Sequence, residues 1–195
     1  MKTARRTVLV AGIAVVLAGL MIPERLVIPV QGATRGDWNP QTFWFSPWGP
    51  SGVHKGIDIF ANKGTPVLSA APGFVLFTGT LGLGGNVVAV VGPGWHIHYY
   101  AHLDEIKTAG WRLVPKGEVL GTVGATGNAA GKPPHLHYAI LNPIPYPWRA
   151  DGSVQGWKKM FYLNPLDRLP TPREPARAPA PSFCREPSRL AGCTG

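Results

Sequence analysis

Between about residues 64 and 141 the chain breaks into short apolar runs separated by Gly and Pro. Pro66–Ala70, Gly73–Thr80, Asn86–Val91, Ile97–Ala101, Glu118–Val123 and Leu136–Leu141 are rich in Val, Tyr and Phe and too short for helices. Turn sequences such as Leu83-Gly84-Gly85-Asn86 and Gly92-Pro93-Gly94 punctuate them. The pattern predicts a mainly β fold built on antiparallel sheet. Helical signal in this part is confined to one turn at Asp104–Ala109 and another near Pro165–Leu169. No internal repeat stands out.

The two ends read differently. Met1–Arg6 is a short basic segment, and Thr7–Ile22 is a run without charge, rich in Ala, Val, Leu and Gly. That is the pattern of an export signal or of an uncleaved inner-membrane anchor with its basic end in the cytoplasm. Residues 1–33 are therefore expected to be signal or anchor, with residues 7–22 in the inner membrane if uncleaved. Val30-Gln31-Gly32 is a tolerable but distant cleavage site. The rest of the chain is expected in the cell envelope or periplasm. From residue 170 Pro and Arg dominate without periodicity, which predicts an extended, solvated tail over 170–195. Cys184 and Cys193 are the only cysteines. They match no zinc-binding spacing and read as a small disulfide loop or two idle thiols. One domain over 34–169 remains.

Composition sharpens this division. Gly (25) and Pro (21) are too frequent in 195 residues for a helical bundle or coiled coil. The net charge of +9 is spread over Lys2, Arg5, Arg6 and Arg25 at one end, four arginines in the tail, and scattered positions between. It forms no basic stripe, so no nucleic-acid partner is expected. The glycine-rich Gly79–Asn86 lacks the Gly-Lys-Ser/Thr ending of a phosphate loop and reads as a hairpin. Trp38 to Trp48, Trp148 and Trp157 read as core and edge packing rather than as groove walls.

All six histidines lie between His54 and His137. His54 and Asp58, four apart, share a face of a strand or a helix, and Gly56 between them favours a strand or a bend. An imidazole nitrogen and a carboxylate oxygen are both good ligands for Zn²⁺. His135-Leu136-His137 places two imidazoles on one face of a strand. His96-Ile97-His98 does the same, and positions 96, 98, 100 and 102 line one face if that strand is regular. Spacing alone does not decide which His-x-His binds metal.

The order of the motifs is more specific. His-Lys-Gly-Ile-Asp at 54–58, Tyr-Ala-His-Leu at 100–103 and His-Leu-His at 135–137 stand in one sequence, with GTPV at 64–67, AAPGFV at 70–75 and VPKGEVLGTVGATG at 114–127 between them. In these motifs the chain resembles the M23 family of zinc metallopeptidases, the lysostaphin/LytM-like cell-wall endopeptidases, over roughly 51–141. Lys132-Pro133-Pro134 departs from the Gly-Pro usual before His-Leu-His. The resemblance implies an antiparallel sheet groove of the lysostaphin/LytM type. It implies that His54, Asp58 and His137 bind Zn²⁺, that His102 and His135 are catalytic, and that His96 and His98 are structural or superficial. It further implies an exported metalloendopeptidase, expected as a monomer, that hydrolyses peptide cross-links of peptidoglycan through a zinc-activated water. A membrane-anchored form without wall-binding repeats suits a thin envelope and a cross-link between D-amino acids. The competing readings are a non-catalytic M23-like module that binds the wall or activates another hydrolase, and an endopeptidase directed at protein.

Overall fold

A computed structural model describes residues 2–170, with side chains from Arg5 onward. The expected tail and both cysteines lie outside the described residues. Nine strands form one antiparallel network: β1 (Ile57–Phe60), β2 (Pro66–Leu68), β3 (Gly73–Leu81), β4 (Gly85–Val91), β5 (Ile97–Ile106), β6 (Leu113–Val114), β7 (Val119–Val123), β8 (His135–Leu141) and β9 (Tyr162–Leu163). The main sheet runs β1-β8-β5-β4-β3-β6, with β2 on β7, β7 on β5 and β9 on β8. Each of the six apolar runs forms a strand. The turn expected at Asp104–Ala109 is instead the end of β5, which runs on to Ile106 because β7 pairs with it there. The second expected turn is present as a short 3-10 segment, Pro165–Asp167, opened by the Asn164 side chain, which accepts from Leu166 N–H at 3.2 Å.

The pairing register assigns the two faces of the sheet. Directly opposed residues share a face, and alternate residues reverse it. Ile57 opposes Tyr138, Ile59 opposes Leu136, Tyr100 opposes both Tyr138 and Val88, and His98 opposes Ile140 and Val90. All of these are buried, and most join one apolar cluster with Val67, Leu120 and Val123 from β2 and β7. The other face carries Asp58, His137 and Ala101 in one row, His135 opposite Phe60, and Tyr99 opposite Ala139. That face is the floor of a groove.

The N-terminal region divides at Pro23. Lys2–Met21 is a helix, α1, consistent with its Ala/Leu/Val content, and it ends where Pro23 disfavours helical backbone at Ile22. Most of its apolar side chains are exposed. It meets the β4–β5 hairpin, where the Trp95 indole N–H donates to Val16 O at 2.9 Å. Among the described residues no helix is long and apolar enough to cross a membrane, so the expected anchor over residues 7–22 finds no support here. After Pro23 the chain becomes a strap on the domain. Val27 N–H donates to Ala70 O, Leu68 N–H to Pro29 O, and Gln31 N–H to Pro66 O, at 2.9–3.0 Å. Leu26 and Val30 are buried in the same core as the sheet.

Candidate active site

Three elements bring the metal-type residues together. β1 presents Asp58 beside His137 of β8, since the two are opposed in register. His54 lies just before β1 and is tied to the preceding loop by backbone bonds to Trp44 and Phe45. Gly56 permits the approach. A Cβ there would come within 2.4 Å of Tyr138 O and 3.0 Å of the His137 ring, so any side chain would push β1 away from β8 and open the cluster.

The result is a compact triangle of donor atoms. His54 Nε2 lies 3.0 Å from Asp58 Oδ1 and 3.0 Å from His137 Nδ1, and His137 Nδ1 lies 2.9 Å from Asp58 Oδ1. Among the described residues, only His54, Asp58 and His137 form a group able to hold a metal ion. A tetrahedral ion with bonds of about 2.0–2.2 Å separates its ligand atoms by about 3.3–3.6 Å, so the triangle accepts such an ion with a small outward adjustment. His54 is also oriented from behind, its Nδ1–H lying 3.1 Å from Thr42 O. A backbone carbonyl on the second ring nitrogen fixes the tautomer that leaves Nε2 free for a metal.

Electrostatics keep the ligands in metal-binding form. Burial alone would raise the Asp58 pKa, but hydrogen bonds with His137 and His54 outweigh it and hold the carboxyl well below its usual range. The His137 pKa is lowered by burial, against the pull of Asp58. Two imidazoles and a carboxylate are a donor set that Zn²⁺, a borderline ion, accepts.

Two more histidines face the triangle. His135 stands on the same face as His137, and its Nε2 is 3.9 Å from Asp58 Oδ2. The His102 ring centre is 5.1 Å from that of His135 and 5.9 Å from that of His137. Each is pinned through Nδ1, His102 to Thr126 O at 2.9 Å and His135 to Pro133 O at 2.8 Å. In both, that leaves Nε2 as the bare acceptor. Burial, and then the neighbouring His137 and His135, lower the His102 pKa to about 4, so its ring is neutral at pH 7.

His102 reaches the groove by breaking the regular strand. Alternation would put it on the core face with His98 and Tyr100. Between Asn86/Val88 of β4 and Tyr100/Leu103 of β5 the register slips by one residue, and His102 has φ +65°. A residue in this left-handed region turns the side chain to the other face. Non-glycine residues there cost of the order of 1 kcal/mol and cluster at functional sites. The expectation that 96, 98, 100 and 102 line one face therefore fails at His102.

His96 and His98 sit elsewhere. Glu24 Oε1, on the strap, lies 3.0 Å from His96 Nδ1 and 3.1 Å from His98 Nε2. Arg168 Nη1 lies 2.6 Å from Glu24 Oε2, and the Tyr138 hydroxyl is 2.7 Å from His98 Nδ1. Both histidines are buried, so they are structural rather than superficial.

The triangle opens into a cavity of about 730 Å³. Phe60, Tyr99, Leu141 and Tyr162 give it apolar walls, and Lys55 and Lys132 are the lysines that line it. Trp48 is among the wall residues and stacks on the His54 ring with centres 4.2 Å apart, a role the packing expectation for the aromatic stretch missed. Only its proximity in sequence to His54 could have hinted at it. Trp38 does join the core, while Trp148 and Trp157 are exposed.

Comparison with known proteins places this geometry. Residues 52–146 match the model of peptidase family M23. The L-Ala--D-Glu endopeptidase of Bacillus subtilis is 38% identical over 147 residues, which is 66% of this chain but 43% of that protein. The chain thus spans less than half the length of that relative. The catalytic domain of lysostaphin from Staphylococcus simulans superposes with a TM-score of 0.50 at 28% identity, over 63% of this chain and 84% of the other. A zinc-containing peptidase from Vibrio cholerae does so with a TM-score of 0.50 at 29% identity, over 60% of this chain and 37% of the other. The ordered motifs, the antiparallel groove and these matches together show that residues 52–146 belong to peptidase family M23.

Proposed function

We propose that this chain is an exported zinc endopeptidase that hydrolyses peptide cross-links of peptidoglycan. The observation that carries the reading is the triangle of three ligand atoms within 3.0 Å of one another, set in a groove beside two histidines with bare Nε2 atoms. His54, Asp58 and His137 would hold the ion. Bound there, zinc supplies a Lewis acid that polarises a peptide carbonyl and lowers the pKa of a water from about 15.7 towards about 7. The rest falls to the chain. His102, neutral at pH 7, accepts a proton at Nε2 from the attacking water. The proton that His102 takes from the water is returned to the leaving amine, directly or by way of His135 across the site, whose Nε2, once it carries that proton, can also donate a hydrogen bond to the developing oxyanion. Positioned acid–base groups of this kind contribute typically about 10²–10⁴-fold.

The basic, apolar N-terminus supports export. The folded catalytic unit starts near Pro23 rather than at residue 34, because Leu26 and Val30 fill the core. Cleavage after Gly32 would remove them, so export processing would have to fall before the strap or not occur.

The zinc-loaded full chain, incubated with purified peptidoglycan, should release cleaved muropeptides, and a chelator should abolish the release. Absence of any new amino terminus with zinc present, at several pH values, would refute the reading.

A further inference from the structure

The groove wall has a charge imbalance that hydrolysis itself does not require. Its one carboxylate is Asp58, already committed to His54 and His137. Lys55 and Lys132 line the same cavity, in the segments leading into β1 and β8 respectively. Five cations elsewhere on the domain sit beside carboxylates, Lys63 on Asp104, Lys107 on Glu105, Arg112 on Glu118, Lys159 on Asp151 and Arg168 on Glu24, whereas Lys158 meets only the Gln155 amide oxygen. Among the described residues neither groove lysine has such a partner. Lys55 spends two of its three donors on backbone carbonyls, Ser51 O at 3.2 Å and Val53 O at 3.3 Å. One N–H is left over and the charge is uncompensated. Lys132 is exposed at the mouth, next to the Pro133-Pro134 pair that departs from the Gly-Pro of the family motif.

Two ammonium groups without a carboxylate partner, on the wall of a cavity whose one carboxylate is held by His54 and His137, form a receptor for an anion carried on a peptide frame. Resting on the endopeptidase reading, we infer that Lys132 and Lys55 determine specificity, by binding a free carboxylate of the peptide substrate on either side of the cut bond. The enzyme then selects anionic peptides and discriminates against the same peptides with amidated carboxylates. Neither lysine touches the reacting atoms in this account; each sets where the peptide lies.

The test uses two dimeric muropeptides that differ only in having free or amidated side carboxylates. Binding is measured by calorimetry on the zinc-loaded His135→Ala chain, alone and combined with Lys132→Met or Lys55→Met. Cleavage is measured as kcat/KM on the otherwise unaltered chain. The free-carboxylate form should bind about tenfold or more tightly than the amidated one, as expected for a charge-assisted pair. Lys132→Met should erase much of that preference while leaving affinity for the amidated form unchanged, and Lys132→Arg should restore it. Rising salt should weaken the preference at the exposed Lys132 more than at the partly buried Lys55. Because Lys132 is exposed, its substitution leaves packing intact even if Lys55→Met loosens the 51–55 loop. Equal binding of the two peptides, or a preference that survives both Lys→Met changes, overturns the inference. Cleavage without preference would overturn it and leave the endopeptidase reading standing. Preference in binding without cleavage would uphold it and overturn that reading.

Discussion

The histidines form two groups on opposite faces of one sheet, and the same side chain does different work in each. His54, His137, His135 and His102 converge on the groove face, with ring nitrogens aimed at a shared point and the far nitrogens of His54, His102 and His135 tied to backbone carbonyls. His96 and His98 converge on Glu24, which Arg168 caps from the other side. In the first group the carboxylate sits among its histidines with a cavity in front, so a cation can enter. In the second, an arginine already supplies the cation, and the nitrogens of His96 and His98 flank the carboxylate without forming a triangle that could hold an ion. What separates a metal site from a structural ion-pair network is the convergence of lone pairs and an open approach, rather than the residue types.

That contrast can be broken most severely at the ligands. Asp58→Ala should lose bound metal and reduce cleavage to the level of the chelated enzyme, with the fold retained by circular dichroism. Retained metal with retained activity would break the assignment. Next come the two histidines proposed for acid–base work: His102→Ala and His135→Ala should each lower kcat about 10²–10⁴-fold while metal content by mass spectrometry stays at one ion per chain.

The other cluster should answer in stability instead. Glu24→Ala leaves His96, His98 and Arg168 without their shared carboxylate and should cost about 3–5 kcal/mol in urea unfolding, with kcat little changed in the folded fraction. Its pH dependence follows from the same contacts. Burial would raise the Glu24 pKa, but His96 and His98 hold it well below the usual carboxylate range. A group whose folded pKa is depressed contributes stability above its unfolded value of about 4.3, and loses it as pH falls below that value. Glu24→Gln should therefore flatten the acid limb of the stability curve. An unchanged limb would show that the network carries no net charge stabilisation. The smallest effect is expected at Trp48. Trp48→Leu removes the stack on His54 and should weaken metal retention by about 0.5–1.5 kcal/mol, read from competition with a chelator.

Much of this arrangement was legible in the chain. The six apolar runs became strands because Val, Tyr and Phe between Gly and Pro turns fit a pleated, half-buried surface. The i, i+2 spacing of His135 and His137 put both on the groove face. Other features were not legible in local pattern. His102 faces the groove only through a positive φ and a one-residue slip in β5, and strand alternation points it the other way. The ordered motif resemblance, which strand periodicity could not replace, assigned its role. The strap over Pro23–Ala33 was hidden behind an export-type signal, since nothing local in Leu26 or Val30 announces that they complete a core built from residues 57–163. Glu24 gave no sign of its partners His96, His98 and Arg168, the nearest 72 and the farthest 144 residues away.

The division of the histidines is tested most directly by zinc content per chain across the six single His→Ala variants, each checked for folding. Loss of the ion is expected in His54→Ala and His137→Ala, and one ion per chain in His96→Ala, His98→Ala, His102→Ala and His135→Ala. Zinc retained without His54 or His137, or lost from a folded His96→Ala or His98→Ala chain, would contradict it.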